Sequence, residues 1–284
     1  MSKKLILLDA YALIYRAHFA FIKNPRINSK GLNTSAIFGF CNSLLEVTNK
    51  FDPSHIGVVF DPPGGSDREG VFADYKANRQ EMPEDIRKAI PYIFDLLKAM
   101  NIKVEMEEGF EADDVIGTLA KQAEKKGFET YMMTPDKDFG QLVSDHIFIY
   151  KPGRSGNPSE ILGPKEVCEK FEVKDPLQVI DILGLWGDAV DNIPGVPGVG
   201  EKTAKKLIST YGSIENLIKN THDLKGKLKE NVENFAEQAI LSKQLATIIL
   251  DCPVEFEESE FSRKEVNEKE LIKLFQQLEF NQLG

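Results

Sequence analysis

The sequence predicts an α/β protein with a mainly parallel central sheet and helices on both of its faces. Short apolar runs at Lys4 to Leu8, Ile56 to Phe60, Ile102 to Val104, Thr130 to Met133 and Ile147 to Tyr150 alternate with stretches of helical length. Parallel strands need crossovers, and crossover helices cover both faces. Acids also recur directly after the apolar runs, at Asp9, Asp61, Asp136 and Asp138. The C-terminal ends of parallel strands share one sheet edge, so these carboxylates are expected to converge there.

Taken in order, Lys4 to Leu8 is a strand ending at Asp9, and Tyr11 to Phe19 reads as a helix. Asn33, Thr34 or Ser35 can cap a second helix running through Ile37, Phe38, Leu44, Leu45 and Val47, after which Ile56 to Phe60 leads to Asp61. Further helices start near Pro83 and at Glu111. The latter opens with Glu111, Asp113 and Asp114 and continues with Val115, Ile116, Leu119, Ala120 and Ala123 at helical spacing. An acidic first turn is ordinary by itself, because the helix dipole favours it. Its meaning here comes from the other acids, to which Asp188 and Asp191 are added after an apolar helix.

Two segments depart from the alternation. Between Pro62-Pro63-Gly64-Gly65 and Pro83 the chain has little apolar content but carries Arg68, Tyr75, Lys76 and Arg79. A solvated surface loop is the plain reading, and a substrate guide beside the sheet edge is the other. After Trp186, Ile193-Pro194-Gly195-Val196-Pro197-Gly198-Val199-Gly200 leads into a helix bearing Lys202, Thr203, Lys205 and Lys206. This resembles a helix-hairpin-helix, in which glycines bring backbone N–H groups close to a phosphate without reading a base. A mere packing hairpin and a nucleotide-binding glycine loop are the weaker readings, the latter because a P-loop needs Gly-Lys together and Glu201 stands between Gly200 and Lys202.

Composition limits the functions available. The 284 residues are 42% hydrophobic, enough for one large core or a core with a smaller lobe. A net charge of −10 argues against a protein that is basic all over, though local patches can still bind nucleic acid. Cys41, Cys168 and Cys252 are odd in number and far apart, so no disulfide framework is indicated. His18, His55, His146 and His222 lack zinc-site spacing. The four-residue apolar run before Asp9 is no secretory segment or membrane span, so a cytoplasmic protein without a membrane partner is expected.

Seven or more acids at one edge, without matching bases, would raise each other's pKa unless cations neutralised them. All-oxygen ligands imply Mg2+, with Mn2+ able to substitute. Two such ions about 4 Å apart can stabilise both the attacking and the leaving oxygens of a phosphodiester. The expected reaction is hydrolysis without a covalent intermediate.

Several motifs together resemble the flap endonuclease, or 5′-nuclease, family. They are Leu7-Leu8-Asp9, Val59-Phe60-Asp61, Tyr75-Lys76-Ala77-Asn78-Arg79, Glu111-Ala112-Asp113-Asp114, Thr134-Pro135-Asp136-Lys137-Asp138, Gly187-Asp188 with Asp191-Asn192, and Gly198-Val199-Gly200-Glu201-Lys202-Thr203-Ala204. The likeness runs from Lys4 to Leu278-Glu279-Phe280 and is greatest to the 5′→3′ exonuclease domains at the front of bacterial polymerases of the DNA polymerase I type. It implies a PIN-like nuclease core over 1–185, with a helical arch at about 62–91, and a helix-hairpin-helix lobe with C-terminal helices over 186–284.

Carried over, the resemblance has Asp9, Asp61, Glu111 and Asp113 hold one metal ion, with Asp113 shared, and Asp136, Asp138 and Asp188 hold the second. Asp114 and Asp191 complete the metal residues as acids that orient ligands or bound waters. Lys76 and Arg79 would act with Asp113 in catalysis by meeting the scissile phosphate, and Tyr75 would stack on a base. DNA contacts would come from Arg16, Arg68, Tyr75, Lys76, Arg79, Gly195, Gly198, Val199, Gly200, Lys202, Thr203 and Lys205, with a monovalent cation, K+, at the hairpin. The implied substrates are branched or nicked duplex DNA with a 5′ flap and RNA primers on DNA, cut 5′→3′ during bacterial DNA replication and repair. A monomer is implied, fused to a polymerase in longer chains. The chain departs from the family pattern at Asp67, where an aromatic is usual, and at Val190, where a small polar residue is usual. Its end at Gln282-Leu283-Gly284 fits an excised domain and a free-standing member equally. A binding-only relative would be expected to have lost some of these acids, and a related metal-dependent ribonuclease would lack the hairpin and arch.

Overall fold

Along β1 (Lys3–Asp9) the side chains alternate between two cores: Leu5 and Leu7 enter one apolar cluster, Ile6 and Leu8 the other. A strand apolar on both sides belongs in the middle of a sheet, and β1 lies there. The computed structural model describes residues 3–153 and 157–280; the ending at Gln282-Leu283-Gly284 lies outside them. The other strands are β2 (His55–Val59), β3 (Lys103–Glu105), β4 (Phe128–Met133), β5 (Ile147–Lys151) and β6 (Glu160–Leu162), in the order β3-β2-β1-β4-β5-β6. All pairings are parallel except β5 with β6. The short antiparallel edge strand β6 was not anticipated, because three residues carry no readable period. Strand order reverses between β1 and β4, and at such a switch point the crevice beyond the strand ends is open to a ligand.

The helices are α1 (Ala10–Ala20), α2 (Ser35–Phe51), α3 (Arg68–Val71), α4 (Glu84–Ala99), α5 (Ala112–Lys125), α6 (Pro164–Phe171), α7 (Val179–Trp186), α8 (Glu201–Tyr211), α9 (Ile214–Lys219), α10 (Gly226–Asn234), α11 (Ala236–Ala246), α12 (Glu258–Phe261) and α13 (Glu268–Leu278). One sheet face is covered by α1, α2, α4 and α13, through Leu13, Phe40, Ile93 and Leu274 among others. The other face carries α5 through Val115, Ile116 and Leu119. That core continues without a break into the lobe through Leu183, Ile208, Ile214 and Leu245. At the start of α2 it is Asn33 that accepts a hydrogen bond, from Ser35 N at 3.1 Å, while Thr34 caps with no side-chain bond.

Packing redraws the expected division at residue 185. Helix α7, which precedes and spans that point, packs on α8 and α11 of the lobe, while α13, far beyond it, returns to pack on α4. The C-terminal helix therefore belongs with the sheet. The segment expected as a helical arch is helical only at α3 until α4 begins at Glu84, with turns over residues 73–78 and irregular chain on either side of them. No helix among the described residues is long and apolar enough to cross a membrane.

Candidate active site

The backbone brings the predicted acids to the strand ends and then uses their first oxygens to build itself. Asp9 closes β1 and caps α1, with Oδ1 accepting from Ala12 N at 3.1 Å and Oδ2 from Thr134 Oγ1 at 3.1 Å. Asp61 accepts from Ala112 N at 2.8 Å, which ties the end of β2 to the first turn of α5. Glu111 caps α5; its oxygens accept from Ser66 Oγ at 2.9 Å and Tyr75 Oη at 3.2 Å, and it pairs with Lys76 Nζ at 2.7 Å. Asp136 accepts from Asp138 N at 2.9 Å in the turn after β4. In the loop after α7, Asp188 and Ile193 exchange backbone bonds, and Asp188 accepts from Val190 N and pairs with Lys137. Asp191 accepts from Arg79 Nη2 at 2.7 Å, and Lys76 lies 3.9 Å from its other oxygen.

The electrostatics mark these groups as one unit. Burial, and next the charge of Asp61, push Asp9 up to about 7. Asp113 and Asp138 are both raised well above the usual carboxylate range, by burial first and by Asp136 second. Asp61 and Asp136 are raised chiefly by burial, against amide hydrogen bonds that hold them down. Glu111 is the exception: burial pushes it up, but the Lys76 ammonium and the Arg68 guanidinium outweigh that and leave it lowered. Against these eight acids, Asp9, Asp61, Glu111, Asp113, Asp136, Asp138, Asp188 and Asp191, the ion pairs among the described residues bring Lys76, Arg79 and Lys137, with Arg68 reaching Glu111 alone at 3.4 Å.

Hard, all-oxygen donors short of positive charge suit divalent cations of the Mg2+ type. One observation fits in particular: Asp138 Oδ1 is buried without any hydrogen-bond partner, a cost that a cation would relieve. Among the described residues no three of these side chains yet close on one point that could hold an ion.

Three expectations are corrected here. Asp114 is wholly buried and cannot face a metal: Arg68 takes its two oxygens at 2.6 and 2.7 Å, and they also accept from Ile249 N and Glu111 N. Arg68 is for the same reason no DNA contact. It lies inside the protein and also donates to Thr247 O at 2.9 Å, joining the insertion to α5 and the lobe. Tyr75 is 4% exposed, packed in the core with its hydroxyl on Glu111, and has no face to offer a base.

In the hairpin the glycines divide by role. Gly195 (φ +60°) is buried and packs backbone to backbone on Gly187, where a Cβ would lie 2.5 Å from Gly187 N; its N–H and C=O are held by Ser242 and Gln238. Val199 is also buried, its N–H bonded to Val196 O. Neither is placed to touch a phosphate, which corrects both assignments. Gly198 (φ +78°), Gly200 and Lys202 are exposed, and Thr203 is half-buried on the first turn of α8. Lys205 is mostly covered, paired with Glu201 at 2.8 Å. Arg16 donates to the carbonyls of Pro152 and Gly153.

Comparison with known proteins settles the family. A profile described as the 5′-3′ exonuclease N-terminal resolvase-like domain matches residues 4–172, and one described as the 5′-3′ exonuclease C-terminal SAM fold matches residues 174–269. The chain belongs to the 5′-3′ exonuclease family. Within it, the "5′-3′ exonuclease" of Aquifex aeolicus is 37% identical over 99% of this chain and 94% of its own length. "DNA polymerase I" of Bacillus subtilis is 42% identical over 99% of this chain but only 32% of its own length, so the chain spans about a third of that relative. A solved T5 5′-exonuclease with bound zinc ions shares the fold at a TM-score of 0.74 and 19% identity, covering 98% of this chain and 99% of its own.

Against the family pattern, the departure at Val190 is harmless to the acids: the side chain is 70% exposed, and Asp191 is held from the other side by Arg79 and Lys76. Asp67 is exposed too, its N–H bonded to Gly109 O. The residue that this exonuclease-family motif contains and sequence reasoning passed over is Lys137. Its ammonium pairs with Asp188 and lies 5.3 Å from the centre of the Trp186 ring. Its place between Asp136 and Asp138 was the available signal. Asn78 and Asn192 were likewise missed; they donate to Ala189 O at 2.8 Å and Asp74 O at 2.6 Å, and so staple the insertion to the Asp188 loop.

Proposed function

We propose that this chain is a divalent-metal-dependent 5′→3′ exonuclease and 5′-flap endonuclease that hydrolyses DNA, and RNA primers on DNA, at branched or nicked duplexes in replication and repair. The observation that carries the reading is eight carboxylates at one sheet edge with Lys76 and Arg79 folded onto them. Asp9, Asp61, Glu111 and Asp113 would hold one Mg2+, and Asp136, Asp138 and Asp188 the other, with Asp191 orienting from the side. Bound there, the ions would supply an activated water and charge stabilisation at the phosphate. The chain's own share is positional. Lys76 and Arg79 leave their carboxylate partners for the scissile phosphate, while Gly198, Gly200 and the first turn of α8 hold the backbone of a duplex arm. A K+ ion at the hairpin belongs to the same proposal, as does a polymerase partner in longer chains, which the relatives named DNA polymerase I support.

The test is a labelled 5′-flap duplex and a plain single strand, each incubated with Mg2+ and with EDTA. Cleavage of the flap in Mg2+, and none in EDTA while binding persists, is the expected outcome. Undiminished cleavage in chelator would end the two-metal reading.

A further inference from the structure

We infer that the Lys137 ammonium is a tethered counter-cation for Asp188: it occupies the carboxylate oxygen that a divalent ion must take, and thereby sets how tightly the second ion is held. The inference rests on the metal reading proposed above and deepens it at a residue to which that reading gives no part.

The main chain is pinned on both sides of the pair, which leaves the lysine side chain as the part that can move. Asp188 N donates to Ile193 O at 2.9 Å, Ile193 N donates to Asp188 O at 2.8 Å, and Asp188 Oδ1 accepts from Val190 N at 2.9 Å. Among the described residues Oδ2 takes no backbone bond, and it is this oxygen that accepts from Lys137 Nζ. On the lysine's side, Gly140 N donates to Lys137 O at 3.0 Å and Asp138 N to Asp136 Oδ1 at 2.9 Å, so the turn that carries Lys137 is fixed too. Its chain neighbours Asp136 and Asp138 are the other two acids assigned with Asp188 to the second ion.

Two observations separate this contact from an ordinary ion pair. The ammonium does not complete the group: among the described residues Asp138 Oδ1 is buried without a hydrogen-bond partner. A divalent ion takes several oxygens at once, so it can serve oxygens that the lysine leaves unmet. The second observation is a place for the ammonium to stay. Lys137 Nζ lies 5.3 Å from the centre of the Trp186 ring, within cation–π range, so it can release Oδ2 and remain over the indole. In the absence of an ion the lysine offsets like-charge repulsion at Asp188, and in its presence the same charge competes for the same oxygen.

The experiment compares wild-type protein, Lys137→Met and Lys137→Arg, with thermal melts in chelator to confirm folding. Mn2+ binding is counted from the electron paramagnetic resonance signal of the free ion, and Trp186 emission is followed as Mg2+ is added. Trp186 is the only tryptophan in the chain, so emission reports that ring alone. Lys137→Met should bind the second Mn2+ about tenfold more tightly, because the competing charge is gone, and Lys137→Arg should stay near wild type. Mg2+ should change Trp186 emission in wild-type protein and leave it nearly unchanged in Lys137→Met. Equal or weaker binding of the second Mn2+ by folded Lys137→Met would make the lysine a mere support for Asp188 and overturn the inference, with the metal reading intact. So would a wild-type protein that binds two Mn2+ ions but keeps a constant Trp186 emission in Mg2+, a result that needs no variant to fold. A wild-type protein that binds fewer than two Mn2+ ions would remove the two-metal reading and this inference with it.

Discussion

The sheet edge and the hairpin are both expected to meet phosphate, and they are built from opposite materials. At the sheet edge everything is side-chain charge: carboxylates on five connections, partly offset by Lys76, Arg79 and Lys137. The hairpin offers backbone, with Gly198 and Gly200 exposed. Charge in a buried crevice is costly to assemble and responds strongly when an ion or phosphate arrives. Backbone amides at a helix start are already paid for by the fold, so they suit a grip that must hold without chemistry. The difference predicts where mutations act: on stability and the chemical step at the edge, on binding alone at the hairpin.

The largest effect should come from Arg68→Ala. It leaves the wholly buried Asp114 carboxylate with backbone amides only, and breaking a buried pair in this way costs about 3–5 kcal/mol. Chemical denaturation is expected to show that loss, and Asp114→Ala should show a similar one. If Arg68→Ala kept wild-type stability and lost only DNA affinity, the arginine would be a phosphate contact after all, and the contrast between edge and hairpin would fail at its most buried point.

Next in size is Lys76→Ala. The ammonium sits 2.7 Å from Glu111 Oε2 on a residue held at φ +55°, a left-handed conformation that fixes where the side chain leaves the backbone. Its N–H is bonded to Asp191 O at 3.0 Å, which pins it to the Asp188 loop as well. If its charge is for the transition state, single-turnover cleavage of a 5′-flap substrate should fall on the order of 100-fold with a smaller change in binding. A folded variant with an unchanged single-turnover rate would return the segment to the status of a surface loop.

What could be read from the sequence follows the same division. The converging acids were legible because a strand followed by Asp is a local pattern, and a parallel sheet sends every such Asp to one edge. Arg68 was not legible as a structural residue, because its partner Asp114 lies 46 positions away and only the folded chain buries both. Tyr75 misled for a related reason. Its segment is polar in composition, yet the tyrosine turns into the core, against which Phe72 also packs, and uses its hydroxyl on Glu111. In the hairpin, Gly195 and Gly198 look alike as letters, but one packs against Gly187 and the other faces solvent. Contacts between distant segments, rather than local propensity, decide each of these cases.

The smallest expected effects test the hairpin, and Gly200 is the place to make the change. Gly198 has φ +78°, so any side chain there strains the backbone, and a Cβ would also come 3.1 Å from Asn231 Nδ2. Gly200 has φ −90° and no atom within 4 Å of an added Cβ, so Gly200→Val should leave the fold unstrained while placing bulk where a phosphate must approach. Its KM for a flap duplex should rise by about tenfold or less, with kcat at saturation nearly intact, since only binding shared by ground and transition states is removed. Lys202→Ala, exposed on the same turn, should lower the salt slope of duplex binding by about one and weaken all duplex sequences alike. Steady-state kinetics on flap substrates at several salt concentrations would show both effects. A drop in kcat alone for either variant would mean that the hairpin reaches the reacting phosphate, and the separation of grip from chemistry would have to be abandoned.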